Sequence, residues 1–183
     1  MKLMGMLPLA VGFAISAAAQ SDEAKPDLNA ALGFFVGSCW VGTFSDGAST
    51  DIQCFRPVYD GQFVRSNHLV EGDRGPYGGE TLFHWDADGG IVSYTYWDTS
   101  GGVSQGTMVM TKDGLRAPDE VYVSADGTEL TIASAWTITG PDRWQQRVER
   151  VSESDRETLW SIDYVQADLS TGPRPDLGEN KDD

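Results

Sequence analysis

The sequence has few basic residues and lacks several common functional motifs, and each of these absences excludes a class of function. It has 13 Lys and Arg against 28 Asp and Glu, a net charge of −15. Partners such as DNA, RNA and anionic membrane surfaces require clustered basic side chains, so none of them is expected. The sequence also lacks a glycine-rich phosphate loop, a zinc-ligand spacing and a nucleophile elbow. Motif-based assignment to a nucleotide-binding, zinc or α/β-hydrolase class is therefore excluded.

Only one long apolar run is present, and it lies at the start of the chain. Lys2 precedes an apolar stretch at residues 3–15, and Ala17 and Ala19 fit the small-residue rule for signal peptidase. The stretch is shorter than the roughly 20 residues that span a bilayer. We expect residues 1–19 to be a signal peptide and the mature chain to be periplasmic or secreted, without membrane insertion. The alternative is a buried N-terminal helix.

The two cysteines fit a disulfide in a hairpin. Asp46-Gly47 is a strong two-residue turn signal, and a turn centred there places Cys39 directly opposite Cys54. Opposed strand residues are about 4.5–5.5 Å apart at Cα, which is within disulfide range. A bond between the two cysteines is therefore predicted, in keeping with an oxidising compartment. Two buried thiols are the alternative.

The remaining pattern predicts one helix followed by an antiparallel meander. Apolar residues recur at helical spacing after Pro26 and stop at Gly37. Period-two alternation with turn signals every 8 to 15 residues then predicts ten strands in a single domain over 26–167, before a disordered tail at 168–183. So long a meander must close into a barrel or split into a sandwich. The predicted strands are 39–45, 50–57, 62–71, 80–86, 91–98, 103–111, 119–124, 129–139, 143–151 and 158–167.

Three short motifs resemble those of calycin-type barrels. They are the helix-to-strand segment at 32–42 (LGFFVGSCWVG), the Gly-x-Phe step at 60–63 (DGQF), and the pair 83–86 (FHWD) and 94–97 (YTYW). The chain is most similar to the uncharacterised lipocalin-like domains that many bacteria export. That resemblance implies an up-and-down barrel of eight or ten strands around a small-molecule cavity, and the count of ten favours the larger. It implies no particular activity.

Hairpin registers at the C-terminal end predict an apolar face that also carries a charge. Turns centred at Asp126-Gly127, Pro141-Asp142 and Ser154-Asp155 place Arg147 and Tyr164 on this face. The pair resembles the Arg and Tyr that hold a carboxylate in fatty-acid-binding proteins, so Arg147 is a candidate anchor for an anionic head group. The alternative is an inverted face with Arg147 and Glu149 exposed. The predicted face comprises Val121, Val123, Leu130, Ile132, Ser134, Trp136, Ile138, Gln145, Arg147, Glu149, Val151, Trp160, Ile162 and Tyr164.

For the middle strands, the residue pattern does not decide which face points inward. One face carries Phe83, Trp85, Tyr94 and Tyr96 together with Thr107 and Val109. The other carries Glu80, Leu82, His84, Asp86, Ser93, Thr95, Trp97, Met108 and Met110, with Arg65 and Asn67 added by the loop at 72–79. A pocket hypothesis takes Arg65, Asn67, His84 and Trp97 as lining residues. The alternative is a half-buried polar network on the barrel wall.

These patterns predict a barrel that binds a small, partly apolar ligand of unspecified identity. The candidate ligand-binding residues are Trp40, Arg65, Asn67, His84, Trp97, Trp136, Arg147 and Tyr164. No catalytic residue, metal or cofactor is assigned: the two histidines fall on opposite faces, and no histidine follows His84 to ligate haem. Two alternatives remain, a barrel filled by side chains with a structural or interaction role, and an enzyme with His84 or His68 as acid–base beside Arg65 and Asp86.

Overall fold

Ten antiparallel strands form a closed barrel with one short helix at its N-terminal side. The structure, a computed structural model, describes residues 27–73 and 76–167. The signal peptide at 1–19 and the tail at 168–183 expected from the sequence lie outside the described residues. The elements are α1 (Leu28–Leu32), β1 (Cys39–Phe44), β2 (Thr50–Val58), β3 (Phe63–Glu71), β4 (Tyr77–Asp86), β5 (Ile91–Asp98), β6 (Val103–Thr111), β7 (Gly114–Val123), β8 (Glu129–Gly140), β9 (Arg143–Val151) and β10 (Arg156–Ala167).

Each strand pairs with the next along the chain, and β10 returns to pair with β1. The closing ladder runs from Cys39 opposite Ala167 to Phe44 opposite Ile162. Closure leaves no unpaired strand edge, which is the stable solution for a long meander. The predicted all-β, ten-stranded barrel is therefore confirmed, although β4 begins three residues earlier than expected and β7 five residues earlier.

The helix closes one end of the barrel with apolar side chains. Asp27 caps it by accepting a hydrogen bond from the Ala30 amide at 2.8 Å. Leu28 and Leu32 lie on one face one turn apart, and both are buried. The chain leaves α1 through a turn in which Gly37 takes φ of +81°, a value that glycine adopts without a steric cost. The predicted helix is thus present as little more than one turn.

An aromatic cluster fills the barrel beneath α1. Phe35, fully buried, lies at its centre, with its ring centroid 5.1–6.2 Å from those of Trp40, Phe55, Trp136 and Trp144. Most of these contacts are edge-to-face or tilted, the arrangements favoured by the ring quadrupole. The cluster comprises Phe34, Phe35, Trp40, Phe55, Phe83, Trp136, Trp144 and Tyr164. Its burial makes the helix end of the barrel the main hydrophobic core.

Truncating the centre of this cluster should destabilise the fold strongly. Phe35→Ala removes a fully buried ring that contacts five others, so we expect the free energy of unfolding to fall by about 3–5 kcal/mol. Phe34→Ala is the matched control, since that ring is only partly buried against the cluster. Urea unfolding followed by tryptophan fluorescence measures both. Equal losses in the two variants would contradict the central position assigned to Phe35.

The disulfide forms in the predicted register. Cys39 lies opposite Cys54 and Thr43 opposite Thr50, and the two cysteine Cα atoms are 4.0 Å apart. Gly47, in the connecting turn, takes φ of +69°. Because the neighbouring Trp40 faces the interior, alternation puts the disulfide on the outer face. A structural disulfide indicates an oxidising, extracytoplasmic environment.

Single-residue irregularities overturn several predicted faces. The sequence register pairs Ile138 with Gln145, whereas the structure pairs Ile138 with Trp144 because the ladder shifts at Thr139. A slip of one residue turns every side chain of a strand to the opposite face. Trp144, rather than Gln145, therefore faces the interior, and the predicted inward position of Arg147 is wrong.

The same effect operates at β6 and β7. Tyr122 rather than Val123 lies opposite Leu130, and Gly106 rather than Thr107 lies opposite Tyr94. Val121 and Val123 are consequently exposed on the outer wall, and so is Val109. The predicted inward position of Val121 and Val123 is therefore wrong, and Val109 does not share the face of Phe83 and Tyr94 with which the sequence register groups it. The side chains that replace them inside the barrel are Met108, Glu120 and Tyr122.

Candidate functional site

The interior is polar at the end opposite the helix. There, alternation along β2 to β7 directs a set of polar side chains inward, whereas the aromatic cluster occupies the helix end. We name this region the polar half; its members are Asp51, Gln53, Ser66, His68, Tyr77, Tyr96, Asp98, Ser104, Glu120 and Tyr122. Buried polar groups are costly unless they are paired, so their contacts decide what the region can do.

A histidine–carboxylate contact lies at one side of the polar half. His68 Nδ1 is 3.2 Å from Asp51 Oδ1, and Tyr164 donates to Asp51 Oδ2 at 2.5 Å. The Asp51 side chain is 3% exposed and that of His68 is 16% exposed. A carboxylate with two donors is well satisfied, and it orients the imidazole so that its second nitrogen points along the interior.

Two tyrosines extend this contact to a second carboxylate. His68 Nε2 lies 3.0 Å from Tyr96 Oη, and Tyr96 Oη lies 2.7 Å from Tyr77 Oη. Tyr77 and Tyr122 both donate to Asp98 Oδ2, at 3.2 and 2.7 Å. We call the continuous series from Tyr164 to Tyr122 the interior chain. Its members, in order, are Tyr164, Asp51, His68, Tyr96, Tyr77, Asp98 and Tyr122.

The hydrogen bonds of the interior chain form one connected series. A phenol has one proton, so when Tyr77 donates to Asp98, the hydrogen bond between Tyr77 and Tyr96 is donated by Tyr96. Both ring nitrogens of His68 belong to this series, with Nδ1 against Asp51 and Nε2 against Tyr96. The chain therefore offers a hydrogen-bonded route for a proton between its two carboxylates.

The ionisation behaviour of the interior chain supports these donor roles. Burial raises the pKa of Tyr96 and of Tyr77 far above the usual phenol range, and burial beside Asp51 does the same to the pKa of Tyr164. Burial by itself would raise the pKa of Asp98, but hydrogen bonds from Tyr122, Ser100 and the Gly102 amide outweigh it and lower that pKa. The phenols stay protonated donors and Asp98 stays an ionised acceptor.

Glycines on neighbouring strands make room for the interior tyrosines. A Cβ on Gly79 would lie 2.5 Å from the ring of Tyr96, and one on Gly106 would lie 2.6 Å from Tyr94 Oη. The Glu120 carboxylate also packs over Gly106, with Oε2 3.0 Å from the same point. Two strand glycines thus set where the phenols and Glu120 lie.

Glu120 differs from the other interior acids because, among the described residues, no hydrogen-bond donor reaches its Oε2 atom. The residue is 8% exposed, and its Oε2 atom is buried without a hydrogen-bond partner. Burial raises the pKa of the Glu120 carboxyl to about 7. A buried carboxyl that titrates near neutral pH and lacks a partner is a candidate functional group.

Replacing Glu120 should change how stability depends on pH. The carboxyl binds its proton more tightly in the folded chain, with a pKa of about 7, than in the unfolded chain, with a pKa near 4.5. Stability is therefore lost as the pH rises between these values, by about 3 kcal/mol in total. Glu120→Gln removes this loss, so we expect the variant to gain stability relative to the parent between pH 5 and 8. Urea unfolding across that range measures the difference.

Glu129→Gln supplies the control for this experiment. Glu129 is exposed at the start of β8, so the substitution makes the same charge change without burial. Its stability should follow that of the parent protein at every pH. A parallel pH dependence in Glu120→Gln and the parent would show that the Glu120 carboxyl ionises as an ordinary surface acid.

Solvent reaches the interior even at the middle of the strands. Ser134 faces inward between Ala117 and Val148, and Gln146 faces inward between Trp136 and Ile162. Both remain partly exposed, whereas inward residues of a filled barrel would be buried. His68 retains exposure in the same interior. Side chains therefore do not fill the polar half completely.

Three of the residues predicted from the sequence lie inside the barrel. Trp40 and Trp136 belong to the aromatic cluster and are 1% and 6% exposed. Tyr164 joins the two halves, since its ring stacks on Trp144 at 4.1 Å while its hydroxyl donates to Asp51. These three positions agree with a role in the interior, although Trp40 and Trp136 line its apolar half.

Four other predicted residues lie on the outer wall, so the interior pocket expected from them is wrong. Arg65 Nε is 3.6 Å from Glu80 Oε1, and Asn67 donates to Glu80 Oε2 at 3.2 Å. His84 is exposed beside Phe63, and Trp97 is 42% exposed. Arg65, Asn67 and Glu80 thus form the half-buried polar network on the wall that was the alternative interpretation.

Arg147 also lies outside the barrel. Its side chain is 53% exposed, with Nη2 2.9 Å from Glu149 Oε1 and 2.6 Å from Thr158 Oγ1. The exposed pair with Glu149 was the alternative to an interior anchor, and it is the arrangement observed. Arg147 therefore does not lie where it could bind an anionic head group inside the barrel.

Sequence reasoning missed most of the interior chain. The sequence offers His68 only as an acid–base alternative, and no local pattern points to Asp51, Asp98 or Tyr122. The alternation of Tyr94, Tyr96 and Asp98 along β5 is visible in the sequence, and it marks one face as polar and aromatic. Nothing in that alternation says which face is inward, because both faces of β4 and β5 mix polar and apolar residues.

The comparisons with known proteins assign no family to the chain. Neither a scan of protein-family models nor a search of curated protein sequences found a match to the chain. Within residues 27–73 and 76–167, no three His, Cys, Asp or Glu side chains are grouped so as to hold a metal ion. In the same part of the chain, no helix is long and apolar enough to cross a membrane.

Proposed function

We propose that this protein is an exported, calycin-like barrel that binds a small, partly apolar molecule in its interior. The observation that carries the proposal is the partial exposure of inward-facing polar side chains, Ser134, Gln146 and His68, at depths where a filled barrel would bury them. Small-molecule sites are concave spaces lined by apolar side chains and a few polar groups, and an interior that solvent reaches is such a space. A barrel with a purely structural role does not require a solvent-accessible interior.

The interior suits a molecule with one apolar and one polar part. Aromatic faces of Trp136 and Trp144 lie on the helix side, and the hydroxyls of the interior chain lie on the other. Apolar area buried against the aromatic cluster supplies affinity, and a few placed polar groups supply orientation. The ligand's polar group would therefore lie next to His68 and Tyr96.

Export is part of the proposal. The Cys39–Cys54 disulfide belongs to an oxidising compartment, and residues 1–19 have the composition of a signal peptide. The protein would then meet its ligand in the periplasm or outside the cell.

Mass spectrometry of the protein purified from the cells that make it tests export and binding together. Under native conditions we expect a chain starting at Gln20 plus the mass of a retained small molecule, which denaturing conditions release. A full-length chain in the cytoplasm would contradict export. A bare native mass, combined with failure of the titration described next, would contradict binding.

Titration with the neutral fluorophore N-phenyl-1-naphthylamine tests binding in the interior. The probe should take up excitation energy from the aromatic cluster, and Ser134→Phe should weaken its binding about tenfold or more by occupying the interior. Thr137→Phe is the matched control, because Thr137 lies on the same strand, exposed on the outer face. Equal affinities in the two variants would place the probe outside the barrel.

One observation favours a second candidate function, acid–base catalysis. His68 and Asp51 form a histidine–carboxylate contact in the interior, and Tyr96 continues it. In ester hydrolysis, Nε2 of His68 would exchange its contact with Tyr96 for a water molecule and take a proton from it, the resulting hydroxide would add to the ester carbonyl, and the alcohol would leave with that proton. Asp51 would hold the imidazole in place.

Hydrolysis of p-nitrophenyl butyrate tests this candidate. His68→Gln should reduce the protein-dependent rate at saturating ester more than tenfold. His84→Gln is the control, since His84 lies on the outer wall. The same rate in both variants, or no rate above buffer in the parent, would reject catalysis of this type.

A further inference from the structure

The inward-facing acidic groups of the barrel outnumber its basic groups. Asp51, Asp98 and Glu120 direct carboxyl groups inward, and His68 is the one basic group beside them in the described residues. No lysine or arginine of residues 27–73 and 76–167 is buried, and Arg150, at the rim, is exposed and paired with Glu157. An interior of this kind repels anions and attracts cations.

Two of the three carboxyl groups already have their donors. Asp51 accepts a hydrogen bond from Tyr164 and lies against His68. Asp98 accepts hydrogen bonds from Tyr77, Tyr122 and the Ser100 amide. Neither needs a ligand to satisfy it. Any group recognised by charge must therefore meet the remaining carboxyl, that of Glu120.

Glu120 presents an unpartnered acceptor in a nearly closed site. The residue is more than nine-tenths buried, faces inward on β7, and has an Oε2 atom with no donor. Gln53 Oε1, also inward and buried, is a second acceptor without a donor. Buried acceptors without donors are rare in folded proteins because each one costs desolvation free energy. Both lack the same thing, a hydrogen-bond donor.

Building on the proposed binding function, we propose that the ligand carries a protonated amine that Glu120 receives as its counter-ion. The ammonium has three donors and no acceptor, so it can satisfy the unpartnered Oε2 atom of Glu120. Tyr94 lies beside Glu120 over Gly106, so its hydroxyl and its ring are next to the same position. Desolvated ammonium groups are stabilised by a carboxylate and by a nearby aromatic face.

Three probes with the same alkyl chain test this inference: decylammonium, decanol and decanoate. We expect decylammonium to bind the full mature chain at least tenfold more tightly than decanoate, with decanol between them. Glu120→Gln should weaken decylammonium about tenfold and leave decanol unchanged. Glu129→Gln, which makes the same charge change at an exposed position, should leave all three affinities as they are.

A second measurement remains informative if Glu120→Gln is poorly folded. Burial raises the pKa of the Glu120 carboxyl to about 7. The Glu120 carboxyl should therefore lose its proton to solvent when an ammonium group binds beside it. Calorimetry of the parent protein at pH 6.5, in buffers of different ionisation enthalpy, should show proton release with decylammonium and none with decanol. Absence of that release would overturn the role of Glu120.

The possible outcomes separate this inference from the binding function beneath it. Decanoate binding as tightly as decylammonium, or an unchanged decylammonium affinity in a folded Glu120→Gln protein, overturns the amine preference and leaves binding of a small molecule intact. Failure of decanol and of both charged probes to bind overturns the binding function, and the amine preference with it.

Discussion

Pairing of β10 with β1 is the interaction on which the remaining structure depends. It closes the sheet, so every second side chain of ten strands turns into one shared interior. Without that pairing, Asp51 on β2 and Tyr164 on β10, 113 residues apart, have no reason to meet. Closure also sets a limit: a ten-stranded ring encloses more space than aliphatic side chains fill readily, and large aromatic residues and an end helix fill only part of it.

The interior is divided into two chemically different halves, and the division explains its proposed role. Phe35 and the rings around it exclude water at the helix end, which supplies hydrophobic stability. Beyond Tyr164, which stacks on Trp144 and donates a hydrogen bond to Asp51, side-chain hydrogen bonds join the interior residues. Most of these polar groups are paired, which is what makes them tolerable inside; among the inward side chains of the described residues, the exceptions are Glu120 Oε2, Gln53 Oε1 and the indole nitrogens of Trp40 and Trp144.

Local sequence signals predicted the elements well and their faces poorly. Asp46-Gly47 gave the register of the first hairpin and hence the Cys39–Cys54 bond, because a short turn fixes both strands that leave it. The same reasoning failed at Pro141-Asp142, where one extra residue at Thr139 shifts the ladder and sends Arg147 outward. A bulge leaves no reliable mark in the residue pattern, and one bulge is enough to exchange the interior for the surface.

By itself, the sequence determined the class of fold, the ten strands, the short helix and the disulfide. These follow from short-range rules: hydrophobic period, turn residues and the reach of two opposed cysteines. Only the tertiary structure decided that His68 is inside and His84 outside, and that Glu120 is buried without a donor. Those facts depend on registers summed around a closed ring, in which each strand's face is set by its neighbours and not by its own residues.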